Sequence, residues 1–226
     1  MKKNCCSIYI LFLAIVLAIC PIPTHAAEQI QESTVYHTAK FDAKKAKKNV
    51  SITYKKIGNG ILAICKNKNS YPVKITESIK FLDAAKTALT EEVDSVECLG
   101  AKKTCVLFFK APLTDTGDYK VYSSYKKKVK VSKTSLKDES SSIITTTNLQ
   151  PTMFNLSALN NGKKNLDVIR ISCVLYDGSN KVSGYVQKYA TCYQKGDSVL
   201  ETISYPSVCP SVSRVKVYID TAYQHK

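Results

Sequence analysis

Nucleophilic catalysis needs a Ser or Cys beside a His and an orienting carboxylate. This sequence has three histidines, His25, His37 and His225, all near its two ends, and no G-x-S-x-G. Glu91, Glu92, Asp94 and Glu97 fall on one expected strand, where successive side chains alternate faces. That placement reads as a solvated edge strand and not as the facing carboxylates of a glycosidase. There is no C-x₂-C pair for zinc and no glycine-rich phosphate loop for a nucleotide. The expectation is no catalytic residue, no metal site, no cofactor and no enzyme.

Charge supplies a different chemistry. The 226 residues hold 33 Lys and Arg against 18 Asp and Glu, a formal charge of +15, yet only Arg170 and Arg214 are arginines. Bidentate reading of phosphates and bases favours the planar guanidinium, so sequence-specific nucleic-acid recognition is not expected. Lys126, Lys127, Lys128, Lys130 and Lys133 form one cluster, and Lys44, Lys45, Lys47 and Lys48 another. The first cluster is the candidate contact for an anionic polymer. The alternative is that these lysines keep a β-rich protein soluble and discourage edge pairing. Tyrosines such as Tyr122, Tyr125, Tyr218 and Tyr223 are expected as half-buried core residues.

The first 26 residues read as a cleavable signal peptide. Lys2 and Lys3 precede an apolar run over Ile8–Ile19, followed by Pro21, Pro23 and the small-residue site Thr24-His25-Ala26. Cleavage leaves 200 residues with a charge of +13, no further hydrophobic span, and six cysteines: Cys65, Cys98, Cys105, Cys173, Cys192 and Cys209. The expected location is extracellular, secreted or at the cell surface, where cysteines tend to oxidise. Cys98 and Cys105 bracket the short segment 99–104, and Cys192 and Cys209 lie in comparable end regions. The expected disulfides are Cys98–Cys105 and Cys192–Cys209, with Cys65 and Cys173 left as buried free thiols; the alternative is no disulfide at all.

The elements that must position these residues read as β throughout. Short runs rich in β-branched and aromatic residues recur, separated by turn clusters such as Gly58-Asn59-Gly60 and Gly100–Lys103. Ala39–Lys48 is the single helix candidate. A shift of 94 residues lays Asp83 on Asp177, Cys98 on Cys192, Pro112 on Pro206 and Asn67 on Asn161. The expected architecture is all-β: two tandem immunoglobulin-like antiparallel β-sandwich domains behind the signal peptide. The boundaries are a lead-in over 27–48, the first sandwich over 49–131, a linker over 132–142 and the second sandwich over 143–226. The first core should hold Ile64, Ile75, Ile79, Phe81, Leu107, Phe109 and Val121. The second should hold Leu156, Ile169, Ile171, Cys173, Leu175, Val199, Ile203 and Val217.

Asn160-Asn161-Gly162, Cys173-Val174-Leu175-Tyr176-Asp177-Gly178, Lys195-Gly196-Asp197 and Val215–Tyr218 resemble the FxLYD family of extracytoplasmic bacterial β-sandwich domains. Cys173 stands where that family's namesake strand has Phe, and Ile79–Asp83 is a looser version in the first half. A hairpin accounts for the motif, with Asp177 capping the turn and Gly178 at its positive-φ position. The resemblance implies a non-catalytic surface or secreted module. The expected partner is an anionic cell-wall polymer or a surface protein, held weakly by charge. A structural spacer or accessory domain with no ligand site is the alternative, and an enzyme comes last.

Overall fold

Where one face of a strand is apolar, period-two patterning becomes a ladder. Val73–Leu82 alternates large apolar residues with polar ones, and Val73, Ile75, Ile79 and Phe81 are fully buried. A computed structural model describes residues 40–58, 60–113, 122–207, 209 and 211–223. The expected signal peptide, the three histidines and Val121 lie outside them. The described part, within one unit running from Lys40, is all-β with a single short helix, α1 (Ala43–Lys48). Asp42 caps that helix by accepting from the Lys45 N–H at 2.9 Å.

The strands are β1 (Val50–Ile57), β2 (Gly60–Asn67), β3 (Val73–Leu82), β4 (Ala88–Leu99), β5 (Thr104–Lys110) and β6 (Ser124–Lys133). After a 3₁₀ turn at Ser140–Ser142 come β7 (Ile143–Leu149), β8 (Met153–Asn160), β9 (Leu166–Tyr176), β10 (Val182–Tyr193), β11 (Ser198–Ser204) and β12 (Arg214–Tyr223). They form four three-stranded antiparallel sheets, ordered β1-β2-β5, β4-β3-β6, β7-β8-β11 and β10-β9-β12. The first two sheets share one core, with Ile61, Ala63, Leu107 and Phe109 meeting Ile75, Ile79, Phe81 and Val131. The last two share another, built on Phe154, Leu156, Ile169, Ile171, Cys173 and Leu175.

Four expectations are corrected. The lysine-rich stretch is strand through Lys133, so residues 132–133 belong to β6 and not to a linker. Val129 and Val131 turn toward the first core while Lys128 and Lys130 stay exposed, and that alternation suffices to pair β6 with β3. Ile64 is not in the first core, because Ile61, Ala63 and Cys65 occupy the inner face of β2 and push Leu62 and Ile64 outward. The positive-φ residue of the β9–β10 turn is Asn180 (φ 62°), not Gly178. Asp177 does cap that turn, accepting from the N–H groups of Ser179 and Lys181 at 2.9 Å.

The fourth correction concerns the asparagine that ends the second strand of each half. Asn67 is completely buried, and its amide donates to the carbonyls of Tyr71 (2.9 Å), Leu99 (3.1 Å) and Gly100 (2.9 Å) while accepting from the Asn69 N–H. The residue making the same set in the second half is Asn160, not Asn161. Its amide donates to Lys164 (2.9 Å), Tyr193 (3.4 Å) and Gln194 (3.0 Å) and accepts from the Gly162 N–H. Each of these side chains satisfies three carbonyls where a strand ends inside the protein, which is the accounting a buried turn requires.

Candidate functional site

Side chains on the outer face of β9 meet the first pair of sheets. Arg170, Ser172, Val174 and Tyr176 alternate with the core residues Ile169, Ile171, Cys173 and Leu175, so they point away from their own core. Val174 and Tyr185 pack against Ile57, Leu62 and Val106, with Ile64, Phe108, Tyr176, Val182 and Tyr218 around them. The Phe108 and Tyr185 rings lie 5.1 Å apart. An apolar cluster therefore joins the two halves.

Beside it lies a buried ionic group. Arg170, 2% exposed, donates from Nη1 to Asp94 Oδ1 (3.0 Å) and from Nη2 to Asp94 Oδ2 (2.8 Å). It also donates to the carbonyls of Ser95 and Val106 and stands 3.3 Å from Asp220. Asp220 accepts from the Val106 N–H (2.7 Å) and from the Ser172 hydroxyl, which also contacts Tyr185 Oη at 2.8 Å. The register of β12 shifts between Ile219 and Thr221, and Asp220 is the extra residue of that bulge, aimed at the first half. Burial pushes the Asp220 carboxyl up to about 7, against the opposing pull of Arg170, Ser172 and the Val106 N–H. Burial works against the Arg170 charge too, but Asp220 and Asp94 outweigh it and hold the guanidinium protonated. Asp94, expected on a solvated edge, is instead the anchor of this group. Each member was visible in the sequence, but nothing local marks Arg170 and Asp94 as partners 76 positions apart.

The same junction opens to solvent at one end. A cleft of about 400 Å³ is lined by Lys55, Lys56 and Ile64 from the first half and by Tyr176, Asn180, Lys181 and Val182 from the second. Arg214 extends this cationic rim. Its guanidinium lies 4.1 Å from the centre of the Tyr176 ring and donates to Asn180 Oδ1. Lys216 sits 5.0 Å from the centre of the Tyr218 ring. Positive charge, two phenols and an apolar floor thus converge where the halves meet. This arrangement can hold an anion; none of its described lining residues is a carboxylate.

The lysines singled out in the sequence lie elsewhere, on β6 at the edge of its sheet. Lys126, Lys128 and Lys130 stand opposite Lys80, Ser78 and Thr76 of β3. On that outer face Lys80 pairs with Glu91 (3.2 Å) and Lys74 with Glu97 (2.7 Å). Lys127 lies on the other face, its ammonium 4.0 Å from the centre of the Tyr54 ring, and Lys133 is exposed at the strand end opposite Val73. Tyr54 in turn donates to Glu77, a fully buried carboxyl that burial pushes up while Tyr54 and Lys127 hold it down.

The cysteines do not pair as expected. All six are free thiols. Cys98 turns its thiol to the Leu136 carbonyl at 3.5 Å, whereas Cys105 stands opposite Cys65 across the β2–β5 ladder. Cys192 is exposed with φ 52°, while Cys209 is buried against Ser183 Oγ at 2.8 Å. Strand ends that are near in sequence belong here to different sheets, β4 to one and β5 to the other, so loop length did not predict which thiols face each other.

No family model matches the sequence, and no curated protein matches it. Among solved structures the chain is similar to a red sea bream transglutaminase, at 11% identity over 71% of this chain and 28% of that one, with a TM-score of 0.25. It is also similar to a glycosyl hydrolase family 2 member from Bacteroides cellulosilyticus, at 10% identity over 67% of this chain and 24% of that one, with a TM-score of 0.21. The chain thus spans about a quarter of the length of each of these neighbours.

Proposed function

We propose that this protein is a non-catalytic, exported binding module of two tandem immunoglobulin-like sandwiches, and that it associates with anionic polymers of the cell envelope. The tandem reading is supported by corresponding elements. The strand orders β1-β2-β5 and β4-β3-β6 recur as β7-β8-β11 and β10-β9-β12. β4 (Ala88–Leu99) and β5 (Thr104–Lys110) are each followed 94 residues later by a strand of the same length, Val182–Tyr193 and Ser198–Ser204. Lys86 and Asn180, and likewise Lys102 and Gly196, hold positive φ at that same spacing.

The observation that carries the binding role is the cationic cleft at the junction, with Lys55 on one side and Lys181 on the other. The Arg170–Asp94 pair joins the two halves, so the strands that carry these charges are set relative to each other before anything binds. The β6 lysines add a diffuse field that salt screens within about 8–10 Å.

Retention of the full chain on anionic wall polymer, compared at low and high ionic strength, tests this reading. Lys55→Glu/Lys181→Glu is expected to lower retention more than Lys126→Glu/Lys128→Glu/Lys130→Glu does. Loss only in the β6 variant would replace the shaped cleft with a diffuse basic face. Retention unchanged in both variants would favour the spacer reading, to which the paired Lys74–Glu97 and Lys80–Glu91 face already lends itself.

A further inference from the structure

We infer that Cys65 and Cys105 are the disulfide-forming pair of this protein, closing a cross-strand bond between β2 and β5 as the chain folds in an oxidising compartment. The two residues are direct partners in the antiparallel register, between Ile64↔Val106 and Lys66↔Thr104. Both face the first core and both are completely buried. The Cys65 thiol donates to the Ala63 carbonyl at 3.7 Å, and Cys65 is the neighbour that does most to raise the Cys105 thiol. The Asn67 N–H bonds the opposed Lys103 carbonyl at 2.9 Å, so Cys65 and Cys105, two positions along, are also a hydrogen-bonded pair, at the wide end of the range of about 4.5–5.5 Å between opposed Cβ atoms. A disulfide needs about 3.5–4.5 Å, so closure asks the two strands to approach by about 1 Å or more.

The other cysteines have no such partner in their ladders. Cys173 stands opposite Val186 on one side and Val217 on the other. Cys98 and Cys209 make the separate contacts described above, and Cys192 is exposed.

The bond would sit at a mechanically useful point. Among the described residues β5 has one strand neighbour, β2, and lies at its sheet edge. Its outward Val106 N–H and carbonyl are taken by Asp220 and Arg170, and its Phe108 N–H by Asp94 at 3.0 Å. Tying Cys105 to β2 therefore fixes the strand on which the two halves meet, immediately beside Val106.

The chemistry is ordinary thiol–disulfide exchange with a small disulfide donor such as oxidised glutathione. One cysteine thiolate attacks a donor sulfur, forming a mixed disulfide and releasing the first donor thiolate. The second cysteine thiolate attacks the protein sulfur of that intermediate and releases the second. Two cysteine thiols lose two protons and two electrons, and the donor disulfide becomes two thiols. In the folded protein, contact with Cys65 and burial push the Cys105 thiol well up, and no donor reaches either sulfur. Exchange accordingly belongs to the folding chain, before the first core closes. The inference rests on the export proposed above and not on any polymer binding.

The test is to refold the full chain from denaturant in a glutathione redox buffer and, separately, with excess reductant. Each sample is then alkylated under denaturing conditions and its peptides mapped without reduction. A Cys65–Cys105 linked peptide in the oxidised sample, with a melting temperature above that of the reduced sample, is the expected result. The same link should form in Cys98→Ser/Cys192→Ser, which removes two rival thiols. Alkylation of both Cys65 and Cys105 in the oxidised sample, or linkage of either to another cysteine, would overturn the inference.

Discussion

Arg170 grips Asp94 with two parallel N–H···O bonds of 3.0 and 2.8 Å, one guanidinium nitrogen to each carboxylate oxygen, across the boundary between the two halves. Fork-on-fork pairing of this kind fixes orientation as well as distance. The guanidinium is 2% exposed and its remaining donors are engaged by two carbonyls and Asp220. With the Gln187 amide oxygen turned toward it, Arg170 has a partner from β10 as well. The junction is therefore a specific lock and not merely apolar contact. Its cost is the desolvation of three charged groups, offset only while every member is present.

Arg170→Met should accordingly destabilise the protein strongly, by about 3–5 kcal/mol, because the buried Asp220 and the half-buried Asp94 would be left without their counter-charge. Replacing the three together with apolar residues, as Arg170→Met/Asp94→Leu/Asp220→Leu, should recover much of that loss. Urea unfolding of the two variants checks the pair of outcomes. Equal losses in both would mean that the Arg170 packing matters and its charge does not.

The proton on Asp220 predicts a pH dependence. Its carboxyl titrates near its ordinary 3.8 when unfolded and at about 7 when folded, raised by burial. Between those values the folded state holds a proton that the unfolded state has lost. This group's contribution to stability is therefore complete at low pH and declines as pH rises toward 7, by on the order of 1 kcal/mol per unit. Melting temperatures from pH 5 to pH 8 should fall more steeply in the native protein than in Asp220→Asn, which cannot titrate. Parallel profiles would show that Asp220 stays ionised throughout.

Asn67→Ala and Asn160→Ala should each cost about 2–4 kcal/mol, since each strands two or three interior carbonyls and an unfilled turn donor. Asn161→Ala, by contrast, should cost little. Asn161 is exposed, whereas Asn160 is fully buried. Thermal unfolding of the three variants distinguishes the residue that closes the second half from its neighbour.

What the sequence determined by itself was the local part. Alternation along Val73–Leu82 and Leu166–Tyr176 dictates strands with one buried face, because a two-residue period leaves no other way to segregate their apolar side chains. The caps at Asp83 and Asp177 follow from short-range chemistry and were equally legible, since Asp83 accepts from the Thr87 N–H four residues on. Tertiary structure alone decided the rest. Ile64 and Ile75 look alike in sequence, yet one faces the other half and the other faces its own core, and only the pairing of sheets separates those fates. Arg170, Asp94 and Asp220 carry no shared motif, and Cys105 chose Cys65 over the nearer Cys98 because ladder register, not loop length, sets which side chains meet. The cleft between Lys55 and Lys181 exists for the same reason: it belongs to neither half until the two are docked.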